Sequence, residues 1–342
     1  MTLPTGARRR AVLLLMALLA LLSFSVVGCQ VATTLGLGLS ATATPTSTAT
    51  PTVTPTATAT PTPTATPMPT STPTPTPEPL RLGVAFDPPQ VTQGRTLVID
   101  VQANRPITVT GALDENPLHF VSREGGAWAV TGVPVVARAG GHPIQLAIVD
   151  SLGARVSTTV SITVLAGDFG SEHIQVPPDR VGLLDPAVSA EDARRLDQAF
   201  ADVTPRQLWQ GVFTQPYVGP ITSPFGMWRT YNDGHRSYHA GIDLGGVEGA
   251  PVVAAASGRV VLAAELKVHG NTVVVDHGWG VFSAYYHMSQ ILVQEGQDVA
   301  QGDKVGLVGN TGLSTGAHLH WDMRVDGVAV DPLEWTRRTI PH

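Results

Sequence analysis

The stretch Gly309-Asn-Thr-Gly-Leu-Ser-Thr-Gly-Ala-His-Leu-His320 ends in two histidines that are separated by one leucine. In a β-strand, side chains two residues apart project from the same face, and the residue between them projects from the other. His318 and His320 would therefore lie side by side, with Leu319 turned into a core. A metal ion close to this face could take one imidazole as a ligand and leave the other a few ångströms away.

Two further clusters precede this stretch. His239 and Asp243 flank the small pair Ala240-Gly241, where the backbone can bend and bring both side chains to one ion. His287 follows Tyr286 in the second cluster. Catalytic zinc takes three protein ligands from His, Asp or Glu and leaves a position for water, which becomes a nucleophile near neutral pH. The clusters therefore predict a metal-dependent hydrolase.

Between about residues 216 and 336 the chain resembles the M23 zinc metallopeptidases, the lysostaphin-like or LytM-like peptidoglycan endopeptidases. The resemblance rests on an ordered set of motifs rather than on one short pattern. Besides the clusters above, the set comprises Ile221-Thr-Ser-Pro-Phe-Gly226, the Gly-Asn-x-Val-x-x-x-His run at 270–277, Tyr286-His-Met-Ser289 and Asp331-Pro-Leu333.

The resemblance implies roles for particular residues. His239, Asp243 and His320 are expected to hold Zn²⁺, and His287 and His318 are expected to form the catalytic pair. Relatives also place a tyrosine near the scissile carbonyl, for which this sequence offers two candidates, Tyr231 and Tyr238. The implied substrate is peptidoglycan.

The fold is predicted to be mainly β, because short alternating strands and Gly-rich turns follow residue 216. Strands are predicted at 251–255, 258–263, 272–276 and 281–286. For 216–342 the resemblance implies the lysostaphin-like β-sheet fold, also described as a duplicated hybrid motif, with a groove whose walls are the loops 231–238 and 310–317.

Two other classes of function compete with an enzyme. Some LytM-like domains have lost ligands and act as non-catalytic activators of cell-wall amidases, so an amidase partner or a structural wall protein is the main alternative. All five expected positions are present here, which favours the enzyme. The turns around Lys304 resemble those of lipoyl or biotinyl carriers, but no carrier hairpin motif surrounds that lysine.

The start of the chain is typical of an export signal. Arg8-Arg-Arg10 precedes an apolar run from Ala11 to Val27, and Cys29, the only cysteine, follows Gly28. This order predicts a lipoprotein signal peptide at 1–28, with a lipid on Cys29, although an uncleaved anchor is an alternative. We therefore expect an extracytoplasmic, membrane-anchored protein at the cell surface or in the cell wall.

Residues 29–79 are predicted to be a disordered tether. The part from residue 41 is rich in Thr, Pro and Ala and would extend about 120 Å as polyproline II. The whole chain has 27 acidic and 21 basic residues and a formal charge of −6, and loss of the three N-terminal arginines makes it −9. Such a charge argues against a nucleic-acid partner.

Residues 80–166 are predicted to form an immunoglobulin-like β-sandwich, because short segments such as Val160-Ser-Ile-Thr-Val164 alternate with period two. Further strands are predicted at 97–101, 107–109 and 144–148. Residues 167–215 are interpreted as a connector with one amphipathic helix over 189–200, capped by Ser189.

The remaining histidines are interpreted as structural. His277 lies in a family motif without belonging to its metal set, and it is expected to be a packed or hydrogen-bonded residue at a strand end. A histidine without a motif is more often structural than catalytic. This interpretation covers His119, His142, His173, His235, His269 and His342.

Overall fold

A computed structural model describes residues 77–201 and 203–341 of the chain. The predicted signal peptide, Cys29, the tether up to residue 76 and His342 lie outside the described residues. Within the described part, no helix is both long enough and apolar enough to cross a membrane.

The first part of the described chain consists of two sheets that share an apolar core. One sheet has the order β1-β3-β7-β6 and the other β2-β9-β8-β4-β5. The predicted strands at 97–101, 107–109, 144–148 and 160–164 are confirmed as parts of β3, β4, β8 and β9. The strands are β1 (Leu82–Asp87), β2 (Gln90–Thr92), β3 (Thr96–Ala103), β4 (Ile107–Leu113), β5 (Asn116–Leu118), β6 (Val121–Arg123), β7 (Gly126–Gly132), β8 (Gly140–Asp150) and β9 (Arg155–Leu165).

The connector contributes one strand, one short 3-10 helix and one long helix. They are β10 (Ser171–Ile174), a 3-10 helix at Val181–Leu184, and α1 (Pro186–Ala201). The predicted helix start at Ser189 is wrong, because the helix begins three residues earlier. The Asp185 side chain accepts a hydrogen bond of 2.8 Å from the Ala187 amide, and the Asp185 carbonyl accepts from Val188. Asp185 is thus the N-cap and Pro186 the first helical residue, where a missing N–H costs nothing.

The C-terminal part is built on an eight-stranded sheet. Seven of its strands follow the order β11-β14-β22-β18-β17-β16-β20, and the eighth, β23, pairs with β22. The mainly β fold is therefore confirmed, and the predicted strands of this region are present. Its elements are β11 (Ile221–Ser223), β12 (Trp228–Tyr231), β13 (Arg236–Tyr238), β14 (Gly241–Gly245), β15 (Pro251–Val253), β16 (Gly258–Leu266), β17 (Gly270–Gly278), β18 (Val281–Met288), β19 (Gln290–Ile291), β20 (Asp298–Val299), β21 (Lys304–Leu307), β22 (His318–Val325), β23 (Val328–Val330) and α2 (Pro332–Trp335).

The two parts of the described chain share an apolar core. Strand β7 is buried along its whole length, since one face packs in the sandwich and the other carries Trp128 toward the C-terminal region. The Trp128 ring meets Trp279 at 4.5 Å between centroids. On α2, the indole N–H of Trp335 donates to the Thr96 hydroxyl of β3 at 3.1 Å. This packing places the sandwich directly against the sheet that carries the candidate site.

Helix α1 packs on the face of the large sheet that also carries the expected ligands. Leu196 and Ala199 are buried against Phe282 of β18, and the Phe200 ring meets Phe282 edge to face at 5.4 Å. One turn before Leu196 on the same buried face of the helix, the Asp192 carboxylate accepts hydrogen bonds from the turn at 267–269. The connector is thus an integral part of this face.

Asp192 should stabilise the protein in a way that depends on pH. Burial acts to raise the pKa of Asp192, but hydrogen bonds from His269 and from backbone amides outweigh it and bring the pKa to about 2. Because the folded pKa lies below the unfolded value of about 3.9, this stabilisation is complete above that value and is lost as the pH falls toward 2. We expect Asp192→Asn to lower the free energy of unfolding by about 2 kcal/mol at pH 6, and by much less at pH 2.

Urea denaturation of the wild type and Asp192→Asn between pH 6 and pH 2 measures this difference. The exposed Asp197 on the same helix is the matched control, and its replacement by Asn should change little at either pH. A difference for Asp192→Asn that stays constant across this range would contradict the expectation.

Candidate metal centre and its cleft

Three predicted ligands converge at one point on the large sheet. His239 Nε2 lies 3.0 Å from Asp243 Oδ1 and 2.9 Å from His320 Nδ1, and the last two atoms are 2.9 Å apart. The register of β14 and β22 explains the convergence, because Asp243 pairs directly with His320 in the antiparallel ladder. These three residues are also the group among the described residues whose donor atoms could hold a metal ion.

The protonation of His239 suits a metal ligand. Its Nδ1 lies 2.9 Å from the Pro224 carbonyl oxygen, which can only accept a hydrogen bond, so the proton is on Nδ1. The lone pair of Nε2 then faces Asp243 and His320. Two imidazole nitrogens and a carboxylate oxygen at this spacing form the donor set typical of a catalytic zinc site. A cation between them would accept all three lone pairs and offset their mutual repulsion.

Burial shapes the charge of the ligand set. It acts to raise the pKa of Asp243, but the adjacent imidazoles of His239 and His320 hold that pKa well below its usual range. Burial also lowers the pKa of His320 to about 3, against a hydrogen bond with Asp243 that raises it. At neutral pH Asp243 is therefore ionised and the His320 ring is neutral, the states in which these two groups bind metals.

An ion-pair network holds the other carboxylate oxygen of Asp243. Arg229 of β12 donates from Nη2 to Asp243 Oδ2 at 2.5 Å and from Nε to Glu172 Oε1 at 2.7 Å. Ser223 lies between them and donates to Glu172 at 2.7 Å. Glu172 comes from connector strand β10, which pairs in parallel with β12. The network leaves Asp243 Oδ1 directed at the two imidazoles.

Gly241 is required for the close approach of β14 and β22, the strands that carry Asp243 and His320. A Cβ at this position would lie 2.3 Å from the Trp321 carbonyl oxygen and 2.8 Å from His320 Nε2. The small residue that the sequence places inside the first cluster therefore leaves room for the ring of the third ligand.

His287 lies beside the ligand set in an unusual backbone conformation. Its φ of 60° falls in the left-handed region, which is costly for a residue with a side chain and is concentrated at functional sites. Its Nδ1 donates to the Thr311 carbonyl at 2.9 Å, which leaves Nε2 free to accept. Burial, followed by the neighbouring His318 and His320, holds the pKa of His287 well below its usual range. The ring is therefore neutral at physiological pH.

His318 lies across from His287, with 5.0 Å between the ring centroids. Its Nδ1 donates to the Gly316 carbonyl at 2.8 Å, so its Nε2 also carries a lone pair. That Nε2 is 3.6 Å from Asp243 Oδ1. Two imidazoles thus flank the ligand set, and each donates a hydrogen bond from the nitrogen that lies away from it.

A cleft of about 170 Å³ opens over this centre. Tyr231 and Tyr238 line one side and Leu313 lines the other, so both predicted wall loops contribute. The connector adds Val176 and Pro177 next to His318. Both tyrosine candidates reach the cleft, and the choice between them stays open.

The structure shows the surroundings of two histidines outside the expected site set. His269, interpreted as structural from the sequence, lines the cleft, and its ring lies 4.9 Å from Tyr286. His277 is fully buried and hydrogen-bonded to the Ser257 carbonyl and the Ser283 hydroxyl, as expected for a packed residue at a strand end.

A His-Asp-His donor set on a β-sheet, flanked by two free imidazoles, is typical of metallopeptidases. Residues 237–332 match the model of peptidase family M23.

Relatives and solved structures agree with this assignment. The DD-carboxypeptidase/endopeptidase Mpg of Neisseria meningitidis is 40% identical over 114 residues, which cover 33% of this chain and 26% of Mpg. The murein hydrolase activator NlpD of Salmonella dublin is 36% identical over 123 residues, which cover 33% and 32% of the two chains. A crystal structure from Pseudomonas aeruginosa, assigned to peptidase M23, is 27% identical with a TM-score of 0.53 and covers 72% of this chain and 95% of that one.

The curated relatives share only part of their length with this chain, which spans about a quarter to a third of them. The similarity to the Pseudomonas structure extends beyond the family region into the upstream part of the described residues. The mainly β fold is confirmed, and it is similar to that of the Pseudomonas structure assigned to peptidase M23. The immunoglobulin-like type of the sandwich stays a prediction.

Proposed function

We propose that this protein is a zinc-dependent endopeptidase that hydrolyses peptide cross-links of bacterial peptidoglycan during cell-wall remodelling. The observation that carries the proposal is the position of the His239, Asp243 and His320 donor atoms between two imidazoles with free Nε2 atoms. A binding module has no need for two such bases beside a metal site.

The residues of the cleft have separate roles in hydrolysis. Zinc, when bound by the three ligands, would polarise a scissile carbonyl and lower the pKa of a water molecule to about 7. His287 and His318 can each accept a proton at Nε2 and then donate it to the leaving amine or to the tetrahedral oxyanion. Their backbone carbonyl partners keep both rings oriented during this exchange.

Activation of a cell-wall amidase is the second candidate function. It is favoured by the relative named as a murein hydrolase activator, which is 36% identical over 123 residues. This chain retains all five expected site residues, which an activator does not need. The complete set is why we place hydrolysis first.

Metal removal distinguishes the two candidates. We expect the purified protein to release soluble fragments from peptidoglycan, and we expect a chelator to stop the release and added Zn²⁺ to restore it. Mass spectrometry of the fragments would identify the bond that is cut. If folded, zinc-loaded protein releases nothing alone but stimulates an added amidase with or without chelator, the activator function replaces the enzyme.

We also propose that the protein is attached to the outer side of the cytoplasmic membrane through a lipid on Cys29. The support is the order of the arginines, the apolar run and the cysteine in the first 29 residues. The intact mass of the protein extracted from membranes should correspond to a chain that begins at a lipid-modified Cys29. A mass that includes residues 1–28 would rule out this processing.

A further inference from the structure

The turn at residues 267–269 lies between helix α1 and the cleft, and one carboxylate of the helix holds it. Asp192 accepts hydrogen bonds from the amides of Lys267, Val268 and His269 at 3.0, 2.7 and 3.1 Å. The same carboxylate accepts from Nδ1 of the His269 ring at 3.0 Å. Its side chain is 2% exposed, so water does not compete for these bonds. Both the backbone and the ring of this turn are therefore fixed by α1.

The opposite side of the turn contacts the backbone of His287. The His287 amide donates to the His269 carbonyl at 2.9 Å, and the Leu313 amide donates to the Val268 carbonyl at 2.7 Å. Thr311, whose carbonyl holds the His287 ring, donates from its amide to the His287 carbonyl at 3.3 Å. The turn thus supports His287 directly and also supports the loop that orients its ring.

This support acts on a residue whose conformation needs it. A left-handed backbone at a residue with a Cβ persists only when its surroundings enforce it, and His287 has this conformation. The enforcing contacts come from His269 and Thr311. If the turn moved, the backbone of His287 could relax and its Nε2 would leave the position beside the ligand set.

The helix itself is firmly seated. Leu196, Ala199 and Phe200 pack on the large sheet, one to two turns after Asp192 along α1. The carboxylate is consequently presented from a rigid element rather than from a loop. A group held within a fraction of an ångström by rigid elements is what catalytic geometry requires.

We propose that Asp192 and His269 are positioning residues for His287, so that α1, which lies outside the matched region 237–332, is a working part of the active cleft. The proposal rests on the proposed peptidase function. Asp192 acts on the turn, and His269 passes this constraint to the backbone of His287 while its ring forms the adjoining cleft wall.

The first test compares Asp192→Asn with Asp197→Asn in the full-length, zinc-loaded protein at pH 7. The amide is nearly isosteric, but it cannot accept all four hydrogen bonds. We expect kcat to fall by about 10- to 100-fold, with KM within about twofold and zinc content unchanged. Asp197→Asn, on the exposed side of the same helix, should match the wild type. His269→Asn, which leaves the amide bonds of Asp192 in place, should lower kcat less than Asp192→Asn does.

The second test does not depend on activity. Imidazole ¹⁵N spectra, with His287 assigned by comparison with His287→Ala, should show one tautomer protonated on Nδ1 in the wild type. In Asp192→Asn we expect the His287 signals to shift or broaden, while those of the buried His277 stay in place. Unchanged His287 signals would overturn the positioning role whatever the rate does.

The two tests separate the failure of this proposal from the failure of the proposed function. If the wild type has no peptidase activity, the proposed function fails, and the His287 spectrum alone decides whether Asp192 positions that ring. If the wild type is active and Asp192→Asn loses stability with unchanged kcat, Asp192 is only an anchor for α1 and the positioning proposal is overturned.

Discussion

The His320→Ala variant is expected to lose bound zinc and peptidase activity together. His320 Nδ1 lies 2.9 Å from the donor atoms of both other ligands, so its removal leaves only two of three ligands for the ion. Loss of the metal removes several kcal/mol of transition-state stabilisation, which corresponds to a fall in kcat/KM of about 10³-fold or more. Metal analysis of the purified variant and the release of fragments from peptidoglycan measure the two losses.

The matched control is His173→Ala, which removes an exposed histidine of β10 outside the ligand set. The control should keep both zinc and activity. Because His320 is paired across β14 and β18, the melting temperature of each variant shows whether the fold survives. A folded His320→Ala variant that loses its zinc and yet cleaves peptidoglycan at the wild-type rate would contradict the metallopeptidase mechanism.

The sequence was sufficient to predict the candidate metal centre because its residues lie on or next to only two strands, β14 and β22. Because side chains alternate along a strand, His318 and His320 lie on one face of β22. The small residues Ala240 and Gly241 lie between His239 and Asp243. Only the antiparallel register between β14 and β22, which pairs Asp243 with His320, had to be supplied by the fold. The family motifs carry that register with them.

The supporting network could not be predicted in the same way. Arg229 binds Glu172 from 57 positions away, and Asp192 binds His269 from 77 positions away. No periodicity or spacing links such pairs, since they meet only when connector strand β10 and helix α1 dock on the sheet. The contact of His269 is one of these, because its hydrogen-bonding partner is a carboxylate from a different segment.

The start of α1, in contrast, has a local signal in the sequence. The signal Asp185-Pro186 is present in the sequence and is a common helix start, since aspartate caps the helix and proline occupies its first turn. Ser189 is also a good cap residue, but Pro186 already fixes the helical φ three residues earlier. The structure decides for Asp185, whose side chain binds the Ala187 amide.

The His287→Ala and His318→Ala variants are expected to retain zinc but to lose activity. Neither ring belongs to the His-Asp-His donor set, and each is anchored by a backbone carbonyl on the side away from it. A positioned imidazole that transfers protons or stabilises an oxyanion contributes about 10²- to 10⁴-fold to the rate. We therefore expect kcat for each variant to fall within this range. A single variant that loses its zinc would instead place that histidine among the ligands.

The double variant tells whether the two histidines act as one unit. Their rings are 5.0 Å apart, close enough for a proton accepted by one to affect the other. If both serve the same proton-transfer step, the His287→Ala, His318→Ala double variant should be no slower than the slower single variant. If one accepts the proton and the other stabilises the oxyanion independently, the two losses should multiply. Single-turnover rates of the zinc-loaded variants measure this coupling, and His173→Ala again serves as the control, because its exposed ring lies on another strand.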